Sequence, residues 1–191
     1  MDRERLPILL VVGLLLWVSG CSRPCRPMSF TELLSLEIFP EEVGGVWDRE
    51  GSPTSAFAPR GYIHAVYDKR GEFCLFKVWV IDKCNAANAE DWLSKLRGGQ
   101  HTGESVAPFP PDVAESREYY AGFAEGPTSI RNIPVYERIE SDDSGNILYG
   151  VYFTSGRFVV GGENTFCGLK DIRAVRREFM PILESLSLEA R

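Results

Sequence analysis

The sequence predicts an α+β domain, a mainly antiparallel sheet of about six strands with two principal helices packed on it. Three observations carry that expectation. Segments such as Tyr62–Tyr67 (YIHAVY) and Ile147–Phe153 gather β-branched and aromatic residues between turn signals. Two segments, Ala86–Arg97 and residues 170–187, place apolar residues at helical spacing. The order is two strands, a helix, four strands and a helix, and only turns separate the last three strands.

Each element has its own signal. Ser29-Phe30-Thr31-Glu32 fits a capping box and starts a short helix running to about Leu36. Pro40 and Gly44-Gly45 interrupt the pattern, and Trp47 begins a short strand. Tyr62–Tyr67, the turn Asp68-Lys69-Arg70-Gly71 and Glu72–Ile81 form a hairpin. Phe73, Leu75, Trp79 and Ile81 share one face of its second strand, interrupted by Lys77; Cys74, Phe76, Val78 and Val80 share the other. Apolar residues on both faces mark a central strand covered on each side. Asn85 caps a helix over Ala86–Arg97 with Ala89, Trp92, Leu93 and Leu96 as its stripe, and Gly98-Gly99 ends it.

Residues 98–116 read as a long loop containing Phe109-Pro110-Pro111, of a length often tied to function. Strands follow at Glu118–Ala124, Pro134–Ile139, Ile147–Phe153 and Arg157–Gly161. Gly161-Gly162-Glu163-Asn164 reads as a tight connection out of the last of them. The closing helix presents Ile172, Val175, Phe179, Ile182, Leu183 and Leu186, with a kink expected at Pro181. Its Arg173, Arg176 and Arg177 read as a solvated face. This order of elements resembles the small α+β domains of the PsbP and Mog1 type. The likeness is one of fold and implies no function.

The chain has 191 residues, 44% hydrophobic and 25% charged, as in ordinary globular proteins. Its net charge of −6 gives no electrostatic reason to bind nucleic acid or anionic lipid. Arg3 and Arg5 precede an apolar run, Leu6–Val18, and then Ser19 and Gly20, which is the order of a secretory signal peptide over residues 1–20. The run is short for a membrane span, which needs about 20 apolar residues. Val18-Ser19-Gly20-Cys21 resembles the lipobox of bacterial lipoproteins. The resemblance implies cleavage after Gly20 and a diacylglycerol on the Cys21 thiol, so that the membrane is a partner through lipid. Residues 21–28 then form a lipidated linker and residues 29–191 a single domain. Ser22 after the lipidated position implies the periplasmic side of an outer membrane, in an organism that has one.

Five cysteines are present, and lipidation of Cys21 leaves Cys25, Cys74, Cys84 and Cys167. An even number in an exported chain permits disulfides. Cys74 and Cys84 lie on or just past one predicted strand. Ten extended residues span roughly 33 Å, which rules out a bridge between them. Cys84 and Cys167 each follow a strand and precede a helix. If those strands point the same way, the two meet at one sheet edge, so the expected bridge is Cys84–Cys167. Cys25 and Cys74 then pair or stay free.

Catalytic patterns are scarce. The two histidines, His64 and His101, are 37 residues apart with no metal-ligand spacing around them. No G-x-S-x-G elbow is present. Glu140–Gly145 faintly matches a calcium loop, but Val151 falls where a bidentate carboxylate is required. Tyr119, Tyr120 and Phe123 share a predicted strand near Phe109. No catalytic residue, metal or cofactor is therefore assigned. The expected role is a non-enzymatic binding or assembly module of the cell envelope. Its contact loop would carry His101, Phe109 and Asp112 and meet an envelope protein. A structural lipoprotein without ligand is the alternative, ahead of a tethered hydrolase with His64 or His101 as base.

Overall fold

A computed structural model describes residues 25–55, 60–97, 124–165 and 167–188. The described strands are β1 (Glu42–Val43), β2 (Trp47–Arg49), β3 (Tyr62–Lys69), β4 (Leu75–Asp82), β5 (Ala124–Ile130), β6 (Ile133–Ser141), β7 (Ile147–Ser155) and β8 (Phe158–Thr165). The helices are α1 (Phe30–Leu34), α2 (Ala86–Arg97) and α3 (Ile172–Ser185). The class is α+β, as the sequence predicts. The sheet is wider than expected, with 8 strands in the order β1-β2-β3-β4-β8-β7-β6-β5. Every neighbouring pair is antiparallel. Two four-strand meanders thus join side by side where β4 meets β8.

The two faces are covered by different helices. Val175, Phe179, Ile182 and Leu183 of α3 join Phe76, Val78, Val80, Val151, Phe153 and Val160 in the larger core. Phe179 stacks on Phe76 with ring centroids 4.3 Å apart. On the opposite face, Ala89, Trp92 and Leu93 of α2 pack against Tyr62, Trp79, Tyr152 and Val159. A hydrogen bond between Thr154 Oγ1 and the Glu90 carboxylate ties α2 to β7. Strand β4 is therefore the central strand its two apolar faces predict.

The hairpin starts its second strand later than expected. The Glu72 N–H bonds Lys69 O, the Cys74 N–H bonds Glu72 O and the Lys69 N–H bonds Cys74 O, so residues 69–74 form the turn. Phe73 consequently leaves the apolar face and is 77% exposed. Two other short elements behave as read. Ser29 and Glu32 make a reciprocal capping box on α1. Asn85 Oδ1 accepts the Asn88 N–H at 2.8 Å at the start of α2.

In the second meander, Gly161 and Gly162 continue β8 to Thr165, where the sequence suggests a connection. Their role is contact with aromatic rings. A Cβ on Gly161 would lie 2.1 Å from Trp79 Cζ2, and one on Gly162 would lie 2.6 Å from Phe76 Cζ. The register sets Trp79 opposite Gly161 and Val78 opposite Gly162. Of the strand expected at Glu118–Ala124 only Ala124, the first residue of β5, lies within the described residues. Pro127 sits where the pairing of β5 with β6 slips, on an edge strand that tolerates the missing N–H. Arg131 and Asn132 then make the hairpin turn with φ of 51° and 66°.

Helix α3 runs without interruption through Pro181, which lies on its exposed side. Arg173 and Arg177 are exposed as expected, but Arg176 is half-buried and pairs with Glu137. Its position beside Val175 sets it at the border of the packed face.

The disulfide joins Cys74 to Cys167, so the expected Cys84–Cys167 bridge is corrected. The error lies in strand direction. Strands β4 and β8 are antiparallel, with Leu75 opposite Thr165 and Asp82 opposite Phe158. Cys167, just past the end of β8, lies where β4 begins. Cys84, just past the end of β4, lies where β8 begins. A strand of this length separates the two ends by about 27 Å.

Candidate functional site

The end of the sheet that holds Cys84 is organised around one carboxylate. Asp82, the last residue of β4, is 1% exposed. Its Oδ1 accepts the Cys84 N–H at 2.7 Å and the Arg157 Nε–H at 2.7 Å. Its Oδ2 accepts an Arg157 Nη2–H at 2.7 Å and the Met28 N–H at 2.8 Å. Arg157 occupies the turn between β7 and β8, after Gly156 with φ 55°. One buried charge therefore ties together the end of β4, the β7–β8 turn and the arm that precedes α1. A bidentate guanidinium fixes both oxygens and offsets the burial of the charge.

The arm lies close against this end. Gly61 has φ 87°, and a Cβ there would meet Pro27 Cβ at 2.9 Å and Asp82 O at 3.0 Å. Glycine is required on both counts. Cys25 is exposed and Cys84 half-buried, and both are thiols in this structure. The Cys25 side chain lies near enough to that of Cys84 to act on its ionisation. Burial first, then the neighbouring Cys25 thiol and the Asp82 charge, push the Cys84 thiol up to about 11. Cys84 also holds φ 76°, a conformation that favours glycine.

A second polar group lies in the larger core. Glu137 is buried, accepts Tyr149 OH at 2.8 Å and pairs with Arg176 Nη2 at 2.5 Å. Burial first, then the Glu137 charge, raises the Tyr149 hydroxyl far above its ordinary range. Every member has a partner within the fold, so this network braces α3 against the sheet.

His64 lies within the β3–β4 ladder. It faces Trp79 there, with the Tyr62 ring 5.5 Å away. Its Nδ1 is buried without a hydrogen-bond partner. Burial, then the charge of Lys77, lowers its pKa to about 4, so the ring is neutral at pH 7. The segment after Glu140 is a self-contained turn. Asp142 Oδ1 accepts the N–H groups of Ser144 and Asn146, with Gly145 at φ 75°. Among the described residues no group of His, Cys, Asp and Glu is arranged to hold a metal. No described helix is long and apolar enough to cross a membrane.

An open cleft of about 500 Å³ lies between α1 and the β2–β3 region, lined by Leu33, Leu34, Ile38, Pro40, Arg49 and Pro53 among others. Arg49 braces one wall through Phe39 O and through Gly51 O at 3.0 Å. Tyr67 OH braces Pro40 O at 3.0 Å.

Of the residues singled out in the sequence, Cys84 and Cys167 lie at opposite ends of the sheet. Cys21, the loop residues His101, Phe109 and Asp112, and Tyr119, Tyr120 and Phe123 lie outside the described residues. Sequence reading missed Asp82 and Arg157, which nothing in their local pattern marks. The chain matches no protein-family model, no curated protein and no solved structure.

Proposed function

We propose that this chain is a bacterial envelope lipoprotein whose folded domain is a non-enzymatic binding or assembly module. The observation that carries the reading is the order of residues 1–21: a charged start, an apolar run, small residues and Cys21. In this reading lipid on Cys21 tethers the domain to a membrane, on the periplasmic side of an outer membrane where one exists. The Cys74–Cys167 disulfide supports an oxidising compartment, since cytosolic proteins rarely keep such bonds. The open cleft beside α1 supports a binding role, and the envelope protein partner is inferred from the tethering alone. The likeness to PsbP and Mog1 domains rests on element order alone and lends the proposal no function.

The test is metabolic labelling with an alkyne-bearing fatty acid in a bacterial host. The wild-type chain takes up label and stays with membranes. Cys21→Ser takes up none and stalls as precursor or is released. A labelled Cys21→Ser chain, or an unlabelled wild-type chain cut elsewhere, contradicts the proposal. Crosslinking in intact envelopes then reads out the partner.

A further inference from the structure

We propose that Cys25 and Cys84 form a second disulfide, which staples the N-terminal arm to the end of the sheet. Three features bring the pair together. The arm is held at Met28, whose N–H bonds Asp82 Oδ2, while the Cys84 N–H bonds the other oxygen of the same carboxylate. Pro27 rests against Gly61, where a side chain would exclude it. The Cys25 thiol is near enough to Cys84 to act on its ionisation. With Cys74 and Cys167 joined, these are also the two cysteines left after Cys21 is set aside.

The chemistry is thiol–disulfide exchange with an external disulfide, that of an envelope oxidoreductase or of oxidised glutathione. Exposed Cys25, as thiolate, attacks one sulfur of that disulfide and displaces the other as a thiolate. Cys84, as thiolate, then attacks the Cys25 sulfur of the mixed disulfide and displaces the second external thiolate. The pair loses two protons and two electrons, and the external disulfide becomes two thiols.

The bridge fixes more than the arm. Resting on the proposed lipid anchor, it sets how the domain faces the bilayer. Four residues carry the chain from Cys21 to Cys25, a reach of at most about 14 Å. The sheet end bearing Gly61, Asp82 and Arg157 would then face the membrane, and the Cys74–Cys167 end would point away.

The test uses the full chain expressed with its own leader. Free thiols are blocked with N-ethylmaleimide before lysis, and non-reduced peptides are mapped by mass spectrometry. The expected result is a peptide pair linked through Cys25 and Cys84, beside the Cys74–Cys167 pair. Maleimide on both Cys25 and Cys84 with Cys74–Cys167 intact overturns the proposal. If all four thiols are blocked, the export reading fails, and the purified chain is then equilibrated with oxidised glutathione. An intramolecular Cys25–Cys84 bond in at least about ten-fold excess over glutathione adducts supports the staple. Separate adducts on the two cysteines, or no reaction, overturn it.

Discussion

Removing the Arg157 guanidinium tests the Asp82 junction most severely. The Asp82 side chain is fully buried and that of Arg157 is 29% exposed. Arg157→Met keeps much of the side-chain stem and deletes both 2.7 Å bonds to the carboxylate. Two backbone donors, from Met28 and Cys84, remain. A buried carboxylate stripped of its cation costs about 3–5 kcal/mol, and the surviving donors place the expected loss near the lower end, about 3 kcal/mol. With an m-value of about 2 kcal/mol/M, the urea midpoint falls by roughly 1.5 M. Asp82→Asn in the same chain removes the stranded charge, so the double variant recovers at least about 1 kcal/mol relative to Arg157→Met. Equilibrium urea unfolding followed by tryptophan fluorescence reads both numbers. A midpoint within about 0.3 M of wild type for Arg157→Met would refute the burial of this pair.

Other expectations follow from the same packing. Gly161→Ala forces a methyl into the Trp79 ring, and thermal unfolding should register a loss of about 2–3 kcal/mol. An unchanged melting temperature would mean that the ring does not lie over β8. Cys74→Ala opens a loop of 93 residues' separation and should cost about 2–4 kcal/mol in urea unfolding; equal stability of the oxidised wild type and the variant would count against the bridge. His64 is neutral when folded and titrates near pH 4, against 6.5 for the ordinary group. The unfolded chain binds the proton first as pH falls, so stability is complete above about pH 6.5 and declines towards pH 4. His64→Gln should flatten the stability curve in that window, and an unaltered slope would contradict the assignment.

The periodic elements were legible in the sequence because their side chains repeat at the spacing of the structure. Helix α2, with Asn85 before it and Ala89, Trp92 and Leu93 beneath it, is one case. The α1 capping box is another. What was misread depends on neighbours far away in the chain. Gly161 and Gly162 carry a loop signal locally, but they are strand residues because Trp79 and Phe76 need their space. Pro127 hides β5, since an edge strand tolerates what a central one does not. The disulfide required strand direction, which cysteine spacing does not encode. Elimination still narrowed the pairings, for the excluded Cys74–Cys84 bond would span one strand.

The candidate site was less legible than the fold. The lipobox-like segment is local and can be read in four residues, Val18–Cys21. Asp82, Arg157 and Met28 are spread over 130 residues and meet only through the sheet. A lone aspartate at a strand end carries no pattern. The chemistry of that junction emerges only when β4 and β8 are set antiparallel.

The central claim, a lipid-tethered envelope domain, is tested most directly by the intact mass of the chain extracted from membranes. The account predicts a mature chain that begins at Cys21, carries a thioether-linked diacylglycerol and lacks residues 1–20. An unmodified chain, or one beginning at any other residue, would contradict it.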